Sequence, residues 1–114
     1  MSTMQLNIDP VKVLLPAKDL TASKTSDVAG YSMFTTIGLV VAVTAHTNIN
    51  ATVAIEVSID GVTWGAYSGS SVAVAGNVVI PYNISDFAFA MLRVTITIIG
   101  GNATFEVKAM AKQG

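Results

Sequence analysis

The chain has 114 residues, enough for one domain, and sets 52% hydrophobic residues against only 11% charged ones, where about 25% charged is usual. Six Lys and Arg against seven Asp and Glu leave a net charge of −1, which excludes the basic footprint that nucleic acid or an anionic membrane surface requires. With no cysteine and a single histidine, His46, the sequence excludes disulfides, thiolate metal sites, iron–sulfur clusters, a Cys nucleophile and a multi-histidine metal centre.

A surface so poor in charge implies that much of it faces something other than water. Residues 1–10 lack the basic start and apolar block of a secretory signal. They read as a short N-terminal arm closed by Asp9-Pro10, with residues 11–114 forming one domain. Lys12 to Leu15 predicts an edge strand stopped by Pro16, and Leu20 to Thr25 a second short strand. Two long stretches, 28–55 and 61–85, contain no Asp, Glu, Lys or Arg. The strongly apolar block of the first, Ile37 to Ala45, is nine residues long, where a transmembrane helix needs about 20. The second is broken by glycines, serines and Pro81, so no membrane association is expected.

Met33 to Ala45 is rich in β-branched residues and predicts a strand, ended by a polar loop from His46 to Asn50. Residues 52–59 alternate, with Val53, Ile55, Val57 and Ile59 on one side and Thr52, Ala54, Glu56 and Ser58 on the other. This is the period of a half-buried strand. Asp60-Gly61 predicts a tight type I′ hairpin whose second strand starts at Val62 and carries Trp64. Val72 to Pro81 predicts a strand pair or a bulged strand around Gly76-Asn77. Ala90 to Ile99 alternates with Leu92, Val94, Ile96 and Ile98 inward. Gly100-Gly101-Asn102 then predicts a second tight turn, before a closing strand with Ala103, Phe105, Val107 and Ala109 on one face. Six to eight short strands with turn signals about every ten residues give an all-β, antiparallel β-sandwich, jelly-roll or immunoglobulin-like.

No constellation carries catalysis or a cofactor. Asp60 is explained as a turn residue by Gly61, Asp86 as a loop residue, and neither has a second carboxylate at an interpretable spacing. His46 has no nucleophile elbow to serve. Trp64 reads as a core anchor beside the hairpin or, with Tyr67, as a stacking platform for a sugar ring. Tyr31 and Tyr82 are further aromatic candidates. Arg93 interrupts an apolar strand, either paired with Glu106 or Glu56 across the sheet or anchoring an interface. Met91 and Met110 are expected to point outward and supply apolar interface area with it, as does the two-sided apolar strand from Leu39 to Ala45.

In chain order, Leu20 to Asp27, the strand Leu39-Val40-Val41-Ala42-Val43-Thr44-Ala45, the segment Ser58-Ile59-Asp60-Gly61-Val62-Thr63-Trp64, Leu92-Arg93-Val94 and the Gly-Gly-Asn turn resemble small structural proteins of tailed-bacteriophage virions, among them capsid decoration (cement) proteins. The resemblance covers roughly residues 12 to 112. It implies a non-enzymatic virion component that binds and stabilises the shell through apolar and arm contacts. Its partners would be the major capsid protein or other virion proteins and further copies of itself, with a trimer as the implied assembly. The alternative is a carbohydrate- or surface-binding β-sandwich module of a phage tail or fibre.

Overall fold

Residues 36–58 run as one strand, β4 (Thr36–Ser58), and almost its whole length pairs antiparallel with a second long strand, β8 (Met91–Lys112). The computed structural model describes residues 11–31, 36–85 and 87–112; the arm expected at residues 1–10 lies outside them. Strands this long, with an apolar residue at every second position, cannot bury that face by lying flat. The sheet therefore folds across its middle and closes on itself.

The fold line is set by register. Along the N-terminal half of β4 the partners run from Thr36↔Lys112 to Thr44↔Thr104; along the C-terminal half they run from Ala51↔Ile98 to Ser58↔Met91. The two halves differ by one residue, absorbed by irregular pairings at Thr47↔Asn102 and Asn50↔Gly100. A one-residue shift reverses which side chains face the core. Accordingly Leu92, Val94 and Ile96 are buried in the first half of β8 and Ala103, Phe105, Val107 and Ala109 in the second. In β4 the buried apolar residues are odd-numbered on both sides of the bend, Ile37 to Val43 and Ile49 to Val57, while Ala45 and Thr47 at the bend itself are exposed.

The outer strands change layer at the same level. β1 (Lys12–Leu20) pairs with the C-terminal half of β8, whereas β2 (Lys24–Thr25) and β3 (Ala29–Gly30) pair with its N-terminal half. On the other side β5 (Gly65–Ala66) and β6 (Val72–Val74) pair with the C-terminal half of β4, and β7 (Val78–Ile84) with its N-terminal half. The protein is thus a four-strand-wide antiparallel sheet bent double into a β-sandwich. Layer I consists of β1, the end of β8, the start of β4 and β7. Layer II consists of β2 and β3, the start of β8, the end of β4, and β5 with β6. The molecule's least dimension, 20 Å, fits two sheets about 10 Å apart. One apolar cluster fills the space between, with Tyr31, Phe105, Ile37, Leu39, Ile55 and Leu92 among its largest fully buried members.

Three local expectations are corrected. Gly100-Gly101-Asn102 is a bend inside β8 and not a hairpin, because both flanking segments already have β4 as a partner. His46 to Asn50 belongs to β4, where left-handed Ala45 (φ 51°) and Asn48 (φ 49°) turn the strand from one layer to the other. The reversal after Ser58 is wider than a type I′ turn: only Gly61 has positive φ there, and the returning strand is β5, at Gly65, so Trp64 stands in the loop. In addition, β1 continues through Pro16 to Leu20. Register shifts between Leu15 and Lys18 accommodate the proline on this edge strand.

The corner is stapled. His46 Nδ1 lies 2.8 Å from Asn77 Oδ1, which also accepts the His46 backbone N–H, tying the bend of β4 to the β6–β7 crossing. Gly101 (φ 71°) comes so close to the backbone of Asn48 and Thr47 that any Cβ would collide with both. Ser23 Oγ accepts the Ile98 N–H at 2.9 Å, joining the β1–β2 crossing to β8. This corner gives His46 a structural explanation.

Candidate functional site

The two layers turn very different outer faces to solvent. On layer I the outward positions are Gly38, Val40 and Ala42 of β4, Val79 and Pro81 of β7, Glu106, Lys108 and Met110 of β8, and Val13 of β1. Val40 is 40% exposed, Val79 62%, Val13 48% and Met110 36%, so the apolar positions form a band across all four strands. Two charges near it, Glu106 and Lys108, face each other at 3.7 Å and offset one another. At the open end of the layer a groove of about 410 Å³ is walled by Val11, Val40, Pro81, Lys108 and Met110 and floored at Gly38. A shallow apolar groove of this kind suits side chains of a protein partner. Among the described residues no three His, Asp or Glu side chains gather as a metal site would need.

Layer II carries the polar cluster. Glu56 and Arg93 are direct cross-strand partners, and Arg93 Nε donates to Glu56 Oε1 at 2.7 Å. The Arg93 guanidinium lies 4.1 Å from the centre of the Trp64 ring, so one face of the indole is occupied. Of the two pairings open to Arg93, the structure forms the one with Glu56. Beside it Met91 packs against Gly61.

The 59–64 loop that presents Trp64 is built by short polar side chains. Asp60 Oδ1 accepts the N–H groups of Val62 and Thr63, each at 2.9 Å, and the Ser58 hydroxyl at 3.1 Å. These bonds favour the carboxylate and hold its pKa below the usual 3.8. Ser58 Oγ in turn accepts the Gly61 N–H at 2.8 Å. Asp60 is a turn-forming residue here, as its neighbour Gly61 suggests.

Trp64 and Tyr67 are not brought together. Tyr67 N–H donates to Ile55 O at 2.8 Å, which sets Tyr67 opposite an inward residue, and its ring packs on the core. Trp64 lies with Arg93 on the outer face. Tyr31 is fully buried, with Lys12 Nζ 4.9 Å from its ring centre. Tyr82 is half-buried and donates to Ser70 O at 2.7 Å; burial pushes its phenol above the usual 10.0. Asp86 lies outside the described residues. The candidate interface residues also divide: Met91 and Arg93 belong to layer II, Met110 to the groove of layer I.

Sequence reasoning missed the groove walls Val11 and Pro81, whose only signal is β-structure with no polar alternative. It also missed the serines. Ser70 Oγ accepts the buried Ile55 N–H at 3.0 Å and Ser26 Oγ the buried Val94 N–H at 2.9 Å, each completing the sheet where a short outer strand gives out.

No protein family matches the chain, and no curated protein sequence does. Solved structures do. The SPBc2 prophage-derived protein YomS superposes with a TM-score of 0.65 at 11% identity, over 90% of this chain and 91% of that one. A chain of the infectious bursal disease virus Gx strain gives 0.56 at 11% identity, over 92% of this chain and 33% of that one. A structure described as CBM4 gives 0.55 at 13% identity, over 96% and 82%. At such identities the likeness is one of fold: the chain is an all-β antiparallel sandwich of a kind shared by phage-derived, viral and binding-module proteins.

Proposed function

We propose that the chain is a non-enzymatic structural component of a phage virion, a decoration protein that docks on the shell through the apolar outer face of layer I. The observation that carries this reading is the band Val13, Val40, Val79, Pro81 and Met110, apolar across four strands on a protein with 11% charged residues. Association removes such surface from water, at roughly 25 cal/mol per Å² before ordering costs. Likeness of fold to the prophage-derived protein and the virus chain supports the setting. The partners are the major shell protein and, in a closed ring, further copies of the chain.

The test uses particles of the encoding phage with the gene deleted. Added protein is expected to co-sediment with them in fixed proportion to the shell protein and to raise the temperature at which they release their genome. Protein that stays in the supernatant and leaves that temperature unchanged would overturn the reading.

A second reading, a surface- or carbohydrate-binding module, is favoured by Trp64 standing on the outer face of layer II. It predicts that soluble polysaccharides of the host surface shift the Trp64 fluorescence in a saturable way. No shift would remove it.

A further inference from the structure

Layer II ends in a raised apolar loop. Ile59 is 71% exposed and Val62 83%, two large β-branched side chains on the tip that follows β4. Asp60 and Ser58 hold this tip through four short hydrogen bonds, so little of it remains to be ordered when it meets a partner. The loop leans onto the outer face of layer II, where Gly61 meets Met91 and Trp64 meets Arg93. It therefore lies across the sandwich from the groove of its own copy.

The groove is shaped for such an occupant. Its floor, Gly38, stands inside β4 without a left-handed φ. Of the described residues, a Cβ there would meet only Met110 Cγ within 4 Å, at an ordinary 3.7 Å. No described residue thus requires a glycine here, although glycine weakens a strand, and such a glycine marks a place where another chain approaches the backbone. The walls Val40, Pro81 and Met110 are apolar, and the charge among the groove residues is Lys108, half exposed. The loop tip is the complement: two branched apolar side chains with one acid, Asp60, between them. Among the described residues every hydrogen bond to that carboxylate goes to Oδ1, which leaves Oδ2 for a cation.

We propose that copies of the chain join head to tail, the 59–64 loop of one seated in the layer I groove of the next, with Ile59 and Val62 over Gly38 and Asp60 beside Lys108. Loop and groove are different surfaces, so the contact is heterologous and closes into a ring or runs on as a filament. This deepens the docking reading, on which it rests only for its purpose: joined copies present the apolar band beyond the groove to the shell together, and each bound copy raises the effective concentration of the next.

The test is light scattering on the full chain across a dilution series, without particles. The native chain is expected to be a multimer that dissociates on dilution. Ile59→Ser with Val62→Ser removes the apolar tip at exposed positions, and Gly38→Val fills the groove floor. Each is expected to weaken association at least about tenfold and give a monomer. Mixed one to one, the two variants are expected to form a two-chain species and nothing larger, because one intact loop and one intact groove remain. Lys108→Glu is a second groove variant at an exposed side chain; it sets an acid against Asp60 and is expected to weaken association about threefold or more. A native chain that is monomeric at every concentration would overturn the proposal, as would variants that assemble like the native chain. Folded variants that stay monomeric when mixed would overturn it too, since a symmetric contact would then be in place. Head-to-tail assembly by a chain that fails to bind particles would strike the virion reading alone.

Discussion

Arg93 and Glu56 form an ion pair at 2.7 Å across the central strands of layer II, with the guanidinium lying against the Trp64 ring. Both side chains are about a quarter exposed, 28% and 27%, so solvent screens much of their attraction. A double-mutant cycle with Arg93→Met and Glu56→Gln, read by urea unfolding, is expected to give a coupling of about 0.5–1 kcal/mol. Trp64→Ala in an Arg93 background should cost about 0.5–1 kcal/mol more than in an Arg93→Met background, the worth of the cation–π contact.

The neighbouring glycines of the corner should behave differently. At Gly101 a Cβ would meet the backbone of Asn48 and Thr47 in a left-handed conformation, whereas at Gly100 nothing lies within 4 Å. Gly101→Ala is expected to destabilise by about 2–4 kcal/mol, since backbone must move as well as strain. Gly100→Ala should stay within about 0.5 kcal/mol. Chemical denaturation of the two variants decides it. Equal effects would mean that β4 and β8 do not approach at this corner as described.

These glycines also show where the sequence stops being legible. The alternation of Val53 to Val57 and of Leu92 to Ile96 identifies strands and their buried faces because facing has period two. Gly100-Gly101 identifies a break in backbone direction, but a bend that keeps its partner and a turn that exchanges it place the same demand on a glycine. Only the pairing of both halves of β8 with β4 distinguishes them, and that is a long-range fact. The site was legible to the same degree. Val40 stands out in a strand apolar on both sides, whereas Val11 and Pro81 become groove walls only when β1 and β7 flank β8 and β4. Arg93's partner was narrowed to two glutamates, and the register chose Glu56.

Ser70 predicts a cost out of proportion to its size. It is buried, accepts the Ile55 N–H and donates to Tyr67 O at 2.7 Å. Ser70→Ala strands the Ile55 donor away from water, an expected loss of about 1–3 kcal/mol. Exposed Ser68→Ala in the same loop should stay within about 0.5 kcal/mol. Amide exchange at Ile55 gives a local check: faster exchange is expected in Ser70→Ala and not in Ser68→Ala.

Asp60 ties the 59–64 loop to pH. Its folded-state pKa is depressed by the Thr63 and Val62 N–H bonds first and the Ser58 hydroxyl after them. A depressed carboxylate pKa contributes stability that is fully present above the unfolded value, near 3.8, and is lost as pH falls through the lower folded value. The loop is therefore expected to hold its structure down to pH 3.8 and loosen below it. The amide shifts of Val62 and Thr63 should titrate together in that acid range, and in Asp60→Asn that titration should vanish. A midpoint above 3.8 would contradict the geometry.

Val79 separates docking from folding. It is 62% exposed on the outer face of layer I, beyond the groove walls, so Val79→Asp should change unfolding free energy by less than about 1 kcal/mol. On the docking reading the same change places a charge in a surface that must lose its water, and attachment to particles is expected to weaken at least about tenfold. If copies of the chain also meet through this face, light scattering across a dilution series should show a multimer for the native chain and a smaller species for Val79→Asp. Deleting residues 1–10 should leave the fold intact and weaken attachment as well. A Val79→Asp protein that binds particles as the native chain does would move the docking surface to layer II, where Trp64, Arg93 and Met91 stand.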